Sequence, residues 1–135
     1  MNSHFYHIQF NIDFSKNITF YKELMNFLGW SIIFETEDTI GYKSDVSGDI
    51  WFVDSEKEGT QDYDEKGFNH FAIKVEEQKD IDEIVQFLEE KNRSTLFDTP
   101  RYRPEFVDSE EETYYQVMFE SPDKILFEIV YIGLR

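Results

Sequence analysis

Two stretches of the chain carry the same pattern 63 residues apart, and any fold must satisfy both at once. Residues 67–75 read Gly-Phe-Asn-His-Phe-Ala-Ile-Lys-Val, with His70, Ala72 and Lys74 alternating against Phe71, Ile73 and Val75. A period of two marks a half-buried strand, because successive side chains of an extended backbone point to opposite faces. Residues 6–12 repeat it, His7, Gln9 and Asn11 alternating with Ile8, Phe10 and Ile12. One gap-free register then pairs His7 with His70, Ile12 with Val75, Ile18 with Ile81, Tyr21 with Ile84, Leu24 with Phe87 and Met25 with Leu88. Strand, polar connection and amphipathic helix all match, which reads as an internal duplication. Any two strand-then-helix segments share some periodicity; the histidine opening each strand is the part that periodicity does not supply.

A chain of 135 residues fits one domain made of two such modules, about 1–56 and 67–135, with an acidic connector between them. The absence of cysteine removes disulfides, thiolate metal sites and thiol nucleophiles. The first residues form neither a basic region nor an apolar leader, and no uncharged apolar run approaches the ~20 residues of a membrane span. A cytoplasmic protein with no membrane partner is therefore expected. Thirteen Lys and Arg against 29 Asp and Glu give a formal charge of −16, which repels a phosphate backbone and excludes nucleic acid as the expected partner. The acids concentrate at 54–65 and 105–112, where a solvated surface is the plain reading. Among 14 Phe, 8 Tyr and 2 Trp, most must be core, which leaves a few to line a cavity for a small molecule.

Helical spacing from Ile18 to Leu28 ends at Gly29, and residues 30–36, 39–43 and 49–53 read as strands, so the first module is β-α-β-β-β. The second follows the same plan: a strand over 68–75, a helix over about 80–91 and a short strand at 95–97. A long connection over 98–112, rich in Pro, Arg and acids, reads as a functional loop or a disordered tip. Strands over 114–119 and 124–131, joined by a turn at 120–123, complete an α+β chain.

In the last strand Glu128 is a lone carboxylate within an apolar run. Strand interiors are depleted in Glu, and a buried carboxylate neutralises, pairs or binds a metal. An ion pair with Lys74 or Arg101 is the plain alternative. His7, His70 and Glu128 together make a two-histidine, one-carboxylate set suited to a divalent transition metal, Fe(II), Mn(II), Zn(II), Ni(II) or Co(II), with positions left open for water or substrate. His4 falls outside the repeat register and is expected at the surface or beside the ligands.

The sequence resembles the vicinal oxygen chelate superfamily, which includes glyoxalase I, extradiol dioxygenases, fosfomycin thiol transferases, methylmalonyl-CoA epimerase and bleomycin resistance proteins. The likeness lies in Tyr6-His7-Ile8, Phe20-Tyr21-Lys22-Glu23 and Leu28-Gly29-Trp30, then Asn69-His70-Phe71-Ala72, then Phe119-Glu120-Ser121-Pro122-Asp123 leading to Phe127-Glu128-Ile129. It implies two β-α-β-β-β modules forming an open, barrel-like mixed sheet around a cavity, with helices outside. It also implies metal ligands from the first and last strands of the modules, positions that His7, His70 and Glu128 occupy. Where glyoxalase I has a glutamate in the first module, this chain offers Trp51, which favours a three-ligand pattern. Lys124 stands where the family's Pro-Asp-Gly turn has its glycine.

The activity implied is a metal-dependent lyase, isomerase or dioxygenase acting on a small vicinally oxygenated metabolite through a Lewis-acid-stabilised oxyanion or enediolate. A metal-free sequestering protein of the bleomycin-resistance kind is the alternative, and fosfomycin-type thiol transfer the third reading. Gln9, Asn11, Trp51, Ala72, Lys74, Leu126 and Val130 share the ligand-bearing faces by alternation. Tyr102, Arg103, Tyr114 and Tyr115 would approach from the long connection and the next strand. A homodimer is expected.

Overall fold

The computed structural model describes all residues, 1–135. The chain is α+β, in the order β1 (His7–Ile12), α1 (Phe14–Phe27), β2 (Ser31–Glu35), β3 (Thr39–Lys43), β4 (Asp49–Asp54), β5 (His70–Val75), α2 (Gln78–Glu90), β6 (Thr95–Tyr102), β7 (Glu112–Glu120) and β8 (Leu126–Leu134). It divides into two compact units, Met1–Thr60 and Gln61–Arg135, each with one open four-stranded mixed sheet. The strand orders are β1-β4-β3-β2 and β5-β8-β7-β6, so both units have one topology, with the first strand parallel to the last and the other pairs antiparallel. No helix is long and apolar enough to cross a membrane.

Each helix covers one face of its own sheet because its apolar residues recur at helical spacing. In the first unit Tyr21, Leu24 and Met25 are buried with Phe10, Ile12, Ile40 and Phe52, and the Tyr21 and Phe52 rings meet at 4.5 Å. In the second, Ile81, Ile84, Phe87 and Leu88 are buried with Ile73, Val117, Phe119, Phe127 and Ile129. The helix ends match too. Gly29 and Asn92, 63 residues apart, both take the left-handed conformation at φ 85° and 57°. The following amides then donate in the same way, Trp30 N to Met25 O and Arg93 N to Leu88 O. Start signals differ, with the Asp54 carboxylate accepting from Phe14 N in one unit and a Glu77–Asp80 capping box opening α2 in the other.

One expectation needs correction. The strand expected to end at Phe97 continues to Tyr102, and the connection after it is shortened accordingly and contains a helical turn at Pro104–Phe106. Between Leu96 and Arg101 the register with β7 shifts, with Phe97 and Asp98 at positive φ. Thr99 fastens this bulge to β7, its hydroxyl donating to Leu96 O and accepting from Met118 N at 2.9 Å. A bulge keeps a strand going through residues that read as a turn, which is why Asp98 and Pro100 misled the pattern.

Candidate functional site

In the second unit the face of the sheet turned away from α2 is set by register. His70, Ala72 and Lys74 of β5 pair with Leu126, Glu128 and Val130 of β8, and Glu128 and Val130 pair with Met118 and Gln116 of β7. Paired residues share a face, so His70, Lys74, Gln116 and Glu128 lie together. Glu128 is 4% exposed and none of its oxygens is idle. Its Oε2 accepts from the Tyr114 hydroxyl at 2.8 Å and from Gln116 Nε2. Its Oε1 lies 3.4 Å from His70 Nε2. Lys74 and Arg101 are exposed and are not its ionic partners. Burial first, and the bond to Glu128 second, push the Tyr114 hydroxyl well above the ordinary tyrosine range, so it stays a donor.

The imidazole is oriented from its other side. Asn69 Nδ2 donates to Tyr63 O at 2.7 Å, which turns Asn69 Oδ1 toward His70 Nδ1, also at 2.7 Å. An amide oxygen only accepts, so Nδ1 carries the hydrogen and Nε2 of the neutral ring is an acceptor. It faces a carboxylate oxygen, a second acceptor. Two acceptors that face each other at this distance are favoured by a cation between them, a role a metal ion can fill. Two donors each about 2.1 Å from one ion lie roughly 3.0–3.4 Å apart for ligand angles of about 90–109°, so the observed separation fits a shared metal. An outer hydrogen bond from a metal-binding histidine's second nitrogen to an oxygen is also the usual arrangement. No third His, Asp or Glu of the second unit joins the pair.

The remaining candidates divide. Tyr114 joins Glu128 directly, and Arg103 reaches it through Gln116, NH1 donating to Gln116 Oε1 at 3.1 Å. Tyr115 goes to the opposite face, its hydroxyl donating to Asp82 of α2 at 2.8 Å and its ring stacking on Tyr102 at 4.5 Å. The segment after β6 borders a separate hollow of about 580 Å3, lined by Tyr102, Pro104, Glu112 and Arg135 among others, which includes neither His70 nor Glu128. In the first unit His7, Gln9 and Asn11 are exposed on the face away from α1, with Gln9 Nε2 donating to Asn11 Oδ1 at 3.0 Å. Trp51 lies flat over Gly41, where an added Cβ would stand 2.7–2.8 Å from the indole, and its ring meets Phe34 at 5.6 Å. Sequence alone assigns no role to Gln116 or Asn69. A lone amide in the apolar run Tyr114–Phe119 is the signal that could have found Gln116.

No protein-family model and no curated protein matches the sequence. Solved structures do. A protein described as a glyoxalase from Bacillus halodurans superposes with a TM-score of 0.76 at 25% identity, covering 93% of each chain. A glyoxalase/bleomycin resistance protein from Albidiferax ferrireducens gives 0.75 at 16% identity, covering 96% of this chain and 99% of that one. The fosfomycin resistance protein FosX from Listeria monocytogenes, in a complex with Mn(II) and sulfate, gives 0.65 at 18%, covering 96% and 90%. Two units of one topology, each opening on a strand histidine, and the agreement over nearly the whole chain show that this protein has the fold of the glyoxalase/bleomycin resistance/dioxygenase proteins, consistent with the vicinal oxygen chelate superfamily that its sequence resembles.

Proposed function

We propose that this protein is a metal-dependent enzyme acting on a small, vicinally oxygenated metabolite, with His70 and Glu128 as two ligands of a divalent transition metal. The observation that carries the reading is the pair of acceptors, His70 Nε2 and Glu128 Oε1, held face to face at 3.4 Å. His7, at the equivalent strand start of the first unit, is the third ligand in this proposal, supplied by the same chain or by a second copy in a homodimer. Fe(II), Mn(II), Zn(II), Ni(II) and Co(II) all suit imidazole and carboxylate donors. The ion, when bound, would act as a Lewis acid on vicinal substrate oxygens and stabilise the oxyanion or enediolate that develops. Asn69 holds the His70 ring, while Tyr114 and Gln116 hold Glu128, so neither ligand has to reorganise. Turnover in a screen of hydroxyketones, vicinal diols and thiol adducts should vanish in a folded His70→Ala/Glu128→Ala variant; full activity there would sink the enzyme reading. Sedimentation at micromolar concentration should give a dimer, and a monomer would count against it.

A second reading, metal-free sequestration of a ring-bearing ligand, is favoured by one feature, the Trp51 indole laid on Gly41 beside the exposed Phe34. Flat aromatic surface binds rings by stacking. Stoichiometric ligand binding that survives a chelator and is lost in Trp51→Ala would support it over the enzyme.

A further inference from the structure

We propose that Arg103 is a positioning residue for Glu128, acting through the side-chain amide of Gln116; the inference rests on the metal-dependent reading above. Arg103 NH1 donates to Gln116 Oε1 at 3.1 Å. A guanidinium has donors and no acceptor. The amide oxygen must therefore face Arg103, and the amide nitrogen must face Glu128, where it donates to Oε2. Tyr114 donates to the same oxygen. With both donors on Oε2, Oε1 is the oxygen left to His70.

Gln116 is 3% exposed, so water does not fix its orientation. Without the guanidinium the amide is free to turn over and present its own oxygen to the carboxylate, two acceptors in contact, and Glu128 would rotate to escape it. Arg103 is itself held from three sides. Its Nε donates to Glu105 Oε1 at 2.5 Å, its guanidinium lies 4.6 Å from the centre of the Phe106 ring, and its backbone N–H donates to Tyr114 O at 2.7 Å. The turn at Pro104–Phe106, which has no counterpart in the first unit, is thereby tied to the ligand through one directed chain of hydrogen bonds.

The test is Mn(II) binding measured by calorimetry on the intact chain, with thermal unfolding as the folding control. Arg103→Met and Gln116→Leu should each weaken binding about tenfold, the lower end for residues that orient metal ligands. Arg103→Lys, which keeps a donor for Gln116 Oε1, should recover part of the loss. If Arg103 acts only through the amide, the double variant Arg103→Met/Gln116→Leu should bind as Gln116→Leu does. Losses that multiply to about a hundredfold would overturn the proposal, since Arg103 would then act by its own charge or by touching the ligand. A readout without metal separates this inference from the reading it rests on. The Gln116 amide protons should be exchange-protected in wild type and lose protection in Arg103→Met. Unchanged protection would sink the relay, whereas an amide that responds in a chain taking up no Mn(II) would sink the metal reading alone.

Discussion

The two units are built on one frame and equipped differently. His7 pairs the same way in its sheet as His70 does: β1 runs beside β4 with Gln9 opposite Trp51, and β5 runs beside β8 with Ala72 opposite Glu128. Trp51 and Glu128 are therefore topological equivalents, and so are the residues that pair with them on the next strand, Gly41 and Met118. In one unit a glycine admits a flat indole. In the other, an amide and a phenol hold a carboxylate against an imidazole. The second unit also has a longer path from its first strand to its last, 56 residues from His70 to Leu126 against 42 from His7 to Asp49. The extra length lengthens β6 and adds the turn beside Arg103. The frame is shared, and the difference between the units falls on one strand position and the segment that supports it.

That equivalence can be broken by substitution. Gly41→Val should destabilise the fold by about 3 kcal/mol, because the new side chain has to displace Trp51. Met118→Val, at the matching place, should cost about 1 kcal/mol. Equal costs by urea unfolding would mean that the two positions are not used differently. Glu128→Leu should cost about 2 kcal/mol despite the better burial of leucine, because the Tyr114 hydroxyl and Gln116 amide lose their acceptor. Adding Tyr114→Phe should recover part of it.

The matched helix ends give a smaller and opposite pair of effects. Gly29→Ala, at φ 85°, should cost about 1 kcal/mol. Asn92→Gly should gain about 0.5 kcal/mol, since asparagine tolerates this conformation less well than glycine. Lys124, also in the left-handed region at φ 60°, should gain similarly on replacement by glycine. Differences of the same sign at Gly29 and Asn92 would contradict their equivalence.

Alkaline pH should distinguish the units by the least amount. The hydrogen bond to Glu120 raises the Tyr63 hydroxyl to about 12, and burial, followed by Asp82, does the same for Tyr115; in the first unit burial, followed by Glu35, raises Tyr42 to about 12. Raised values favour the protonated folded form, so this stabilisation is full below pH 10 and is lost as pH climbs toward 12. Hydrogen exchange followed from pH 9 to 11.5 should show the second unit loosening first, and Tyr63→Phe should reduce the effect.

Much of this frame was legible in the residues because alternation and helical spacing report burial directly. The strand histidines, the helix residues from Tyr21 to Met25 and from Ile84 to Leu88, and the lone Glu128 all follow from period and polarity. The continuation of β6 did not, because a bulge held by Thr99 looks locally like a turn. Gln116 and the separation of Tyr114 from Tyr115 were also hidden. Adjacent tyrosines of a strand go to opposite faces, and only the register with β8 decides which one meets the carboxylate.

In the proposed site a metal ion stands between His70 Nε2 and Glu128 Oε1. Elemental analysis of protein purified without tag or chelator and then equilibrated with Mn(II) or Zn(II), beside His70→Ala and Glu128→Ala, tests it most directly. The wild-type chain should hold about one equivalent of metal, and both variants should lose it. No uptake by the wild type, or equal uptake by all three, would contradict a metal site at this pair.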